Sequence, residues 1–335
     1  MKRLGIGLSL PVGLQPIEKI IYLVERSEKL NFDSFWIHEN PMYGDSLIAL
    51  ALITKKDGKI KLGLGCTSAV TRHPIMLASS SITLQNLAKG RFILGIGLGG
   101  FPWLPLIGYP IQPIKETKPL KRILETVSIV RALTSGREAN LEGNFFKVKN
   151  FKLMVKSEYY IPIYIASLSK KTLSLSPSLA DGVITSPGVM TLKDLERMVS
   201  WVKEGENKYK RRIDKAAYLL VSVSKDEREA YDAIKKDPYF IYQLSEVVPE
   251  ESLRDYGVNL NNLERIREAW RRRDIISASS LIGDDMVRSL TLVGKKENVI
   301  SSLESYLKID YDLFILSPVG DLEEALITFS PLNET

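Results

Sequence analysis

The residues best placed to do chemistry lie between Ile60 and Gly100. Two apolar runs end in glycines there: Ile60-Lys-Leu-Gly-Leu-Gly-Cys-Thr-Ser68 and Arg91-Phe-Ile-Leu-Gly-Ile-Gly-Leu-Gly-Gly100. The helical spacing of Ile75 to Ala88 joins them, so the block reads as a βαβ unit. Glycine at a strand tip lets a flat or phosphorylated ligand approach the backbone, or permits unusual dihedral angles. Glycines clearing two adjacent tips point to a ligand site more than to tight turns alone.

Acids, bases and nucleophiles are sparse around that block. The chain has two histidines, His38 and His73, expected at the end of the second strand and just after the third. With Glu39 they would supply three metal ligands on paper, but their spacing matches no metal motif. The one cysteine, Cys66, would need a nearby base to act as a nucleophile, and a packed thiol at a strand end is the simpler reading. No Gly-x-Ser-x-Gly elbow is present, which argues against a serine hydrolase. Gly95-x-Gly97-x-x-Gly100 matches a dinucleotide fingerprint in form. However, Phe101-Pro102-Trp103 follows where a helix should open, and the match lies at the fourth strand instead of the first. A rim of backbone, hydroxyls and small side chains suits a bound redox cofactor that brings its own chemistry.

The elements that must position this rim alternate regularly. Strands are expected at 4–10, 34–39, 60–67, 91–98, 161–167, 181–186, 216–224 and 311–318, with helices between them. A hairpin is expected within 140–155, around the turn at Glu142-Gly-Asn144. Residues 226–291 break the rhythm as a charged helical insertion after strand seven. Eight strands in alternation make a single-domain (β/α)8 TIM barrel over 1–335, with functional groups at the C-terminal strand ends.

Composition sets the outer bounds. The chain has 335 residues, 44% hydrophobic and 26% charged, as in a globular protein. One cysteine excludes an internal disulfide framework. No run of about 18 apolar residues is present, so no membrane span is expected. Met1-Lys-Arg-Leu-Gly-Ile-Gly enters a strand without a signal-peptide pattern, and a cytoplasmic location is expected. The net charge of +6 includes clusters at 208–212 and 271–273, each in a polar helical context that suits a solvated helix face better than a nucleic-acid site.

Read together, several stretches resemble the bacterial luciferase-like superfamily, and within it the deazaflavin-dependent methylenetetrahydromethanopterin reductases. They are Ile60 to Thr67, Arg72-His-Pro74, Leu87 to Gly99, Ile161 to Ala166, Leu179 to Val183, Leu292-Val-Gly294 and Leu316 to Gly320. The resemblance implies a luciferase-like barrel with a helical insertion after strand seven. It implies coenzyme F420, or alternatively FMN, at the C-terminal rim, with a small-molecule substrate and assembly into a homodimer or higher homo-oligomer. It places a non-prolyl cis peptide in a third-strand bulge at Gly65-Cys66, behind the cofactor ring. By the same carry-over Glu39 is the polar or proton-managing residue. Asn40, Gly65, Cys66, Thr67, Gly97, Gly99, Ala166, Ser167 and Thr185 then line the cofactor.

The chain departs from the family pattern at Glu39-Asn40, Ser68-Ala69, Gly97-Leu-Gly-Gly100 and Gly320-Asp-Leu322. These departures bear on cofactor and substrate, not on fold. The expected activity is hydride transfer between deazaflavin and an organic substrate. The alternatives are an FMN-dependent monooxygenase and a cofactor-binding protein without turnover.

Overall fold

The computed structural model describes residues 2–8, 14–54, 58–99, 104, 108–109, 118–254 and 259–333. Gly100 and most of the proline- and aromatic-rich stretch expected at 101–110 lie outside the described residues. So does 115–117, the expected start of the following helix.

In chain order the elements are β1 (Arg3–Gly7), α1 (Ile17–Lys29), β2 (Ser34–Ile37), α2 (Ser46–Ile53), β3 (Lys61–Ser68), α3 (Pro74–Leu87), β4 (Phe92–Gly97) and α4 (Pro119–Thr134). A hairpin of β5 (Ala139–Glu142) and β6 (Lys147–Phe151) follows, as expected. Then come β7 (Ile163–Ala166), α5 (Lys170–Leu175), β8 (Gly182–Gly188), α6 (Leu192–Tyr209) and β9 (Asp214–Val223). After β9 the chain forms α7 (Glu227–Lys236), α8 (Pro238–Glu246), α9 (Glu250–Arg254), α10 (Leu260–Arg271), α11 (Ile275–Ser280) and α12 (Asp284–Leu290). It closes with β10 (Leu292–Gly294), α13 (Lys296–Leu307), β11 (Leu313–Pro318) and α14 (Leu322–Phe329).

Eight parallel strands run in the order β1-β2-β3-β4-β7-β8-β9-β11, and β11 returns to β1, which closes the barrel. The short β10 adds to the outer end of β9 through Leu292–Gly294 against Val221–Val223. Sequence periodicity did not signal β10, because three residues are too few to show a period.

Strand parity explains the packing. Leu4 and Ile6 of β1 and Leu62 and Leu64 of β3 join the core between sheet and helices. Their alternating neighbours, Gly5, Gly7, Gly63 and Gly65, face inward. There they leave room for Trp36, Tyr164 and Tyr218, which fill the barrel with Ile93, Ile184, Ala216, Leu313 and Ile315. A Cβ at Gly63 would collide with the Trp36 indole. Part of the glycine pattern therefore serves the aromatic interior and not a ligand.

The helices after β9 form a second core. Ile234, Phe240, Leu244, Leu263, Ile266 and Val287 pack there, and Leu220 and Val189 tie it to the barrel rim. Asp237 caps α8 by accepting from the Phe240 amide at 2.8 Å. Burial pushes its carboxyl up from 3.8 to about 6. The folded protein therefore holds this proton more tightly than the unfolded chain, and the stability it contributes is lost as pH rises from about 4 through 6. Asp237→Asn keeps the capping acceptor without the buried charge. It should be more stable than the parent at pH 8 by on the order of 1–3 kcal/mol and similar near pH 4, as read by urea unfolding at both pH values.

Candidate functional site

The site grows from the tip of β3. The β3–β4 register shifts between Leu64 and Thr67, which marks a bulge. Within it the Gly65–Cys66 peptide is cis, at the position expected. The bulge turns two consecutive residues toward the barrel axis. A Cβ on Gly65 would meet Trp36 and Tyr218 of the interior, and the Cys66 sulfur lies 2.6 Å from where Gly97 would carry a Cβ. The same point on Gly97 is 3.3 Å from Ala166 Cβ. Gly65, Cys66, Gly97 and Ala166 thus form one wall, poor in side chains, across the tips of β3, β4 and β7. Burial, reinforced by the charge of Glu39, pushes the Cys66 thiol up to about 12. It stays protonated, so Cys66 is a packing group and not a nucleophile.

The rim above β2 is held by a charge cluster. Glu39 sits just past β2, with its side chain only 5% exposed. Its carboxylate accepts two hydrogen bonds from Arg72, one from Nε at 2.7 Å and one from Nη2, and a third from the Thr67 hydroxyl. Arg72 also reaches Asp45 at 2.9 Å. Burial disfavours the charge on both residues, but their pairing outweighs it: the Asp45 carboxyl is held low and the Arg72 guanidinium high. Asp45 also caps α2 through the Leu47 and Ile48 amides at 2.8 and 3.2 Å. The Glu39 amide donates to the Cys66 carbonyl at 3.3 Å, which ties this loop to the bulge.

Asn40 and Ser167 do local work. Asn40 Oδ1 accepts from the Met42 amide at 3.2 Å and caps a short 3-10 turn over Pro41–Tyr43. Ser167 Oγ accepts from the Ser169 amide at 3.1 Å, ahead of α5. Gly99 has φ +98°, and a Cβ there would strike Ser68 Oγ at 2.6 Å. Ser68 Oγ in turn bonds the Leu98 carbonyl at 2.5 Å, locking the tips of β3 and β4 together.

Thr185 is a correction. Its side chain is fully buried, with Oγ1 2.5 Å from the Tyr311 hydroxyl, and Tyr311 donates onward to the Leu195 carbonyl of α6 at 3.2 Å. The neighbouring Ile184 faces inward, so parity points Thr185 into the helical layer, away from the rim.

Neither histidine is poised for metal chemistry. His38 Nδ1 lies 3.0 Å from the Leu8 carbonyl and must carry the proton there, since a carbonyl only accepts. Burial lowers its pKa and keeps the ring neutral. The ring stacks on Tyr239 of α8 at 5.9 Å, so the helical insertion contributes to the rim. His73 caps α3, accepting from the Ile75 amide at 3.3 Å.

Arg72, Asp45 and Tyr239 were not singled out from the sequence. Arg72 lies within Arg72-His-Pro74, which carried part of the resemblance, yet its partner is 33 residues away. A family model described as luciferase-like monooxygenase matches residues 4–312. The chain belongs to the luciferase-like monooxygenase family. Within it, the chain is 30% identical over 345 residues to the 5,10-methylenetetrahydromethanopterin reductase of Methanopyrus kandleri, covering 97% of this chain and 96% of that one. The enzyme of the same name from Archaeoglobus fulgidus is 30% identical over 307 residues, 89% of each chain. The solved structure of the coenzyme F420 dependent tetrahydromethanopterin reductase from Methanopyrus kandleri superposes with TM-score 0.86 at 26% identity, over 98% of this chain and 97% of that one.

The Glu39–Arg72 pair generates a prediction. Arg72→Met leaves a buried carboxylate without its cation and should cost about 3 kcal/mol in chemical denaturation. Adding Glu39→Gln should recover much of that loss, so the double-mutant cycle should be strongly non-additive.

Proposed function

We propose that this chain is an F420-dependent oxidoreductase of the methylenetetrahydromethanopterin reductase type, moving a hydride between the deazaflavin and a small organic substrate. The observation that carries this reading is the bulged β3 tip, whose Gly65 and Cys66 make one wall, poor in side chains, with Gly97 and Ala166. A planar ring needs a wall of that kind, and glycine at 97 is what lets the Cys66 sulfur and Ala166 pack together in it, since a Cβ there would collide with the sulfur and crowd Ala166. The residues present therefore fit such a group. The near full-length likeness to reductases named for this chemistry supports the choice of F420 over FMN.

When bound, F420 supplies a ring carbon that accepts or releases the hydride. The chain's own contribution is placement. Gly65, Cys66, Gly97 and Ala166 would back the ring, and Gly99 and Ser167 would line the approach to its tail. Glu39, committed to Arg72 and Thr67, acts by holding the β2 and β3 tips together and not by shuttling a proton. Residues 226–291 belong to the same functional unit, because Tyr239 covers His38 at the rim.

The protein works as a cytoplasmic homodimer joined through α2 and α3. These two helices pack together, yet they leave Ile48 and Met76 each 63% exposed, with Leu52 and Leu87 also outward. Among the described residues no helix is long and apolar enough to cross a membrane. Ile48→Lys should shift the protein from dimer to monomer in light scattering; a monomeric parent would refute the pairing.

Fluorescence titration should give tighter binding of F420 than of FMN, and reduced F420 should be oxidised on adding 5,10-methylenetetrahydromethanopterin without oxygen uptake. Preference for FMN, with oxygen consumed by reduced flavin, would instead establish the monooxygenase reading. Tight F420 binding with no hydride exchange from any donor would leave a binding protein without turnover.

A further inference from the structure

Three large polar aromatics fill the barrel, and two of them have partners for their polar atoms. Trp36 Nε1 donates to Ser34 Oγ at 2.9 Å, and the Tyr164 hydroxyl donates to Asp214. The third, Tyr218 in the middle of β9, is only 6% exposed, and its hydroxyl has no hydrogen-bond partner among the described residues. A phenol buried without a partner lowers stability and calls for an explanation.

Its direction supplies one. The Tyr218 ring passes over β1, where a Cβ on Gly7 would lie 2.7 Å from Cε1. The hydroxyl then reaches the bulge, at the point where Gly65 would carry its Cβ. Glycines on β1 and β3 thus clear a path that brings one hydroxyl from the barrel interior to the wall proposed to back the ring. Burial, with the nearby Cys66 and Tyr239, holds the phenol protonated, so it arrives as a neutral donor.

We infer that Tyr218 is a ligand-binding residue whose hydroxyl donates a hydrogen bond to an acceptor atom of the ring system seated against Gly65–Cys66. This inference rests on the deazaflavin reading above and assigns that site a polar contact from below. In the free protein the hydroxyl has no partner among the described residues, so the binding energy gained there is set against a stability already given up. A residue with a purely structural role would not show that opposition.

The test is Tyr218→Phe, which keeps the ring and removes the oxygen. Without ligand, the variant should melt at the parent temperature or about 1–4 °C above it. Its F420 dissociation constant, read by fluorescence quenching, should rise about tenfold. In the parent, adding F420 should change the tyrosine signal in the ultraviolet resonance Raman difference spectrum, and the variant should lack that change. A ligand-free variant that melts well below the parent would give the hydroxyl a structural partner and overturn the inference. So would an unchanged dissociation constant in a parent that binds F420. A parent that binds no F420 overturns the deazaflavin reading and this inference with it, so the titration of the parent separates the two failures.

Discussion

Filling a closed eight-stranded barrel is the constraint on which this structure depends. The interior holds Trp36, Tyr164 and Tyr218, which are large for the space, and they fit because β1 and β3 present glycines toward them. The same alternation sends Leu4, Ile6, Leu62 and Leu64 outward to the helical layer. Side-chain volume is thus traded across the barrel: small on β1 and β3, large on β2, β7 and β9. That trade fills the barrel interior up to the bulge at Gly65–Cys66.

The rim is then fixed by charge and by tied strand tips. Arg72 connects Glu39, just after β2, with Asp45 at the start of α2, and Thr67 joins them from β3. Ser68 closes β3 onto β4. Each of these bonds joins segments that precede or follow different strands, so the site is built from loops held by a rigid sheet. The helices between β9 and β10 have their own apolar core and add Tyr239 above His38. The cluster reads as preorganisation: its ions are consumed by one another, and chemistry is left to what binds.

How much was legible in the sequence follows from how local each signal is. Alternating apolar runs and helical spacings report nearest neighbours, so the order of strands and helices and the 139–151 hairpin could be read directly. The bulge at Gly65–Cys66 came from resemblance, since a register shift involves a partner strand that no local pattern reveals. Thr185 was misread for a related reason. Its residue type suits a rim position, but strand parity and Tyr311, 126 residues away, turn it into the helical layer. Tyr218 carried one unused signal, an aromatic hydroxyl at an inward position of β9.

By itself the sequence determined the periodicities, the glycine positions and the scarcity of free acids and bases at the rim. Those features are written in residue types and spacing, and they point to an alternating strand–helix barrel with few free charges at its rim. Only the tertiary structure decided which way each residue faces and whom it meets. Closure of β11 on β1 and the bulge in β3 put Tyr218 beneath Gly65 and Arg72 beside Glu39. The physical reason is that hydrogen bonds and ion pairs are made in space, between groups that strand closure brings together from distant parts of the chain.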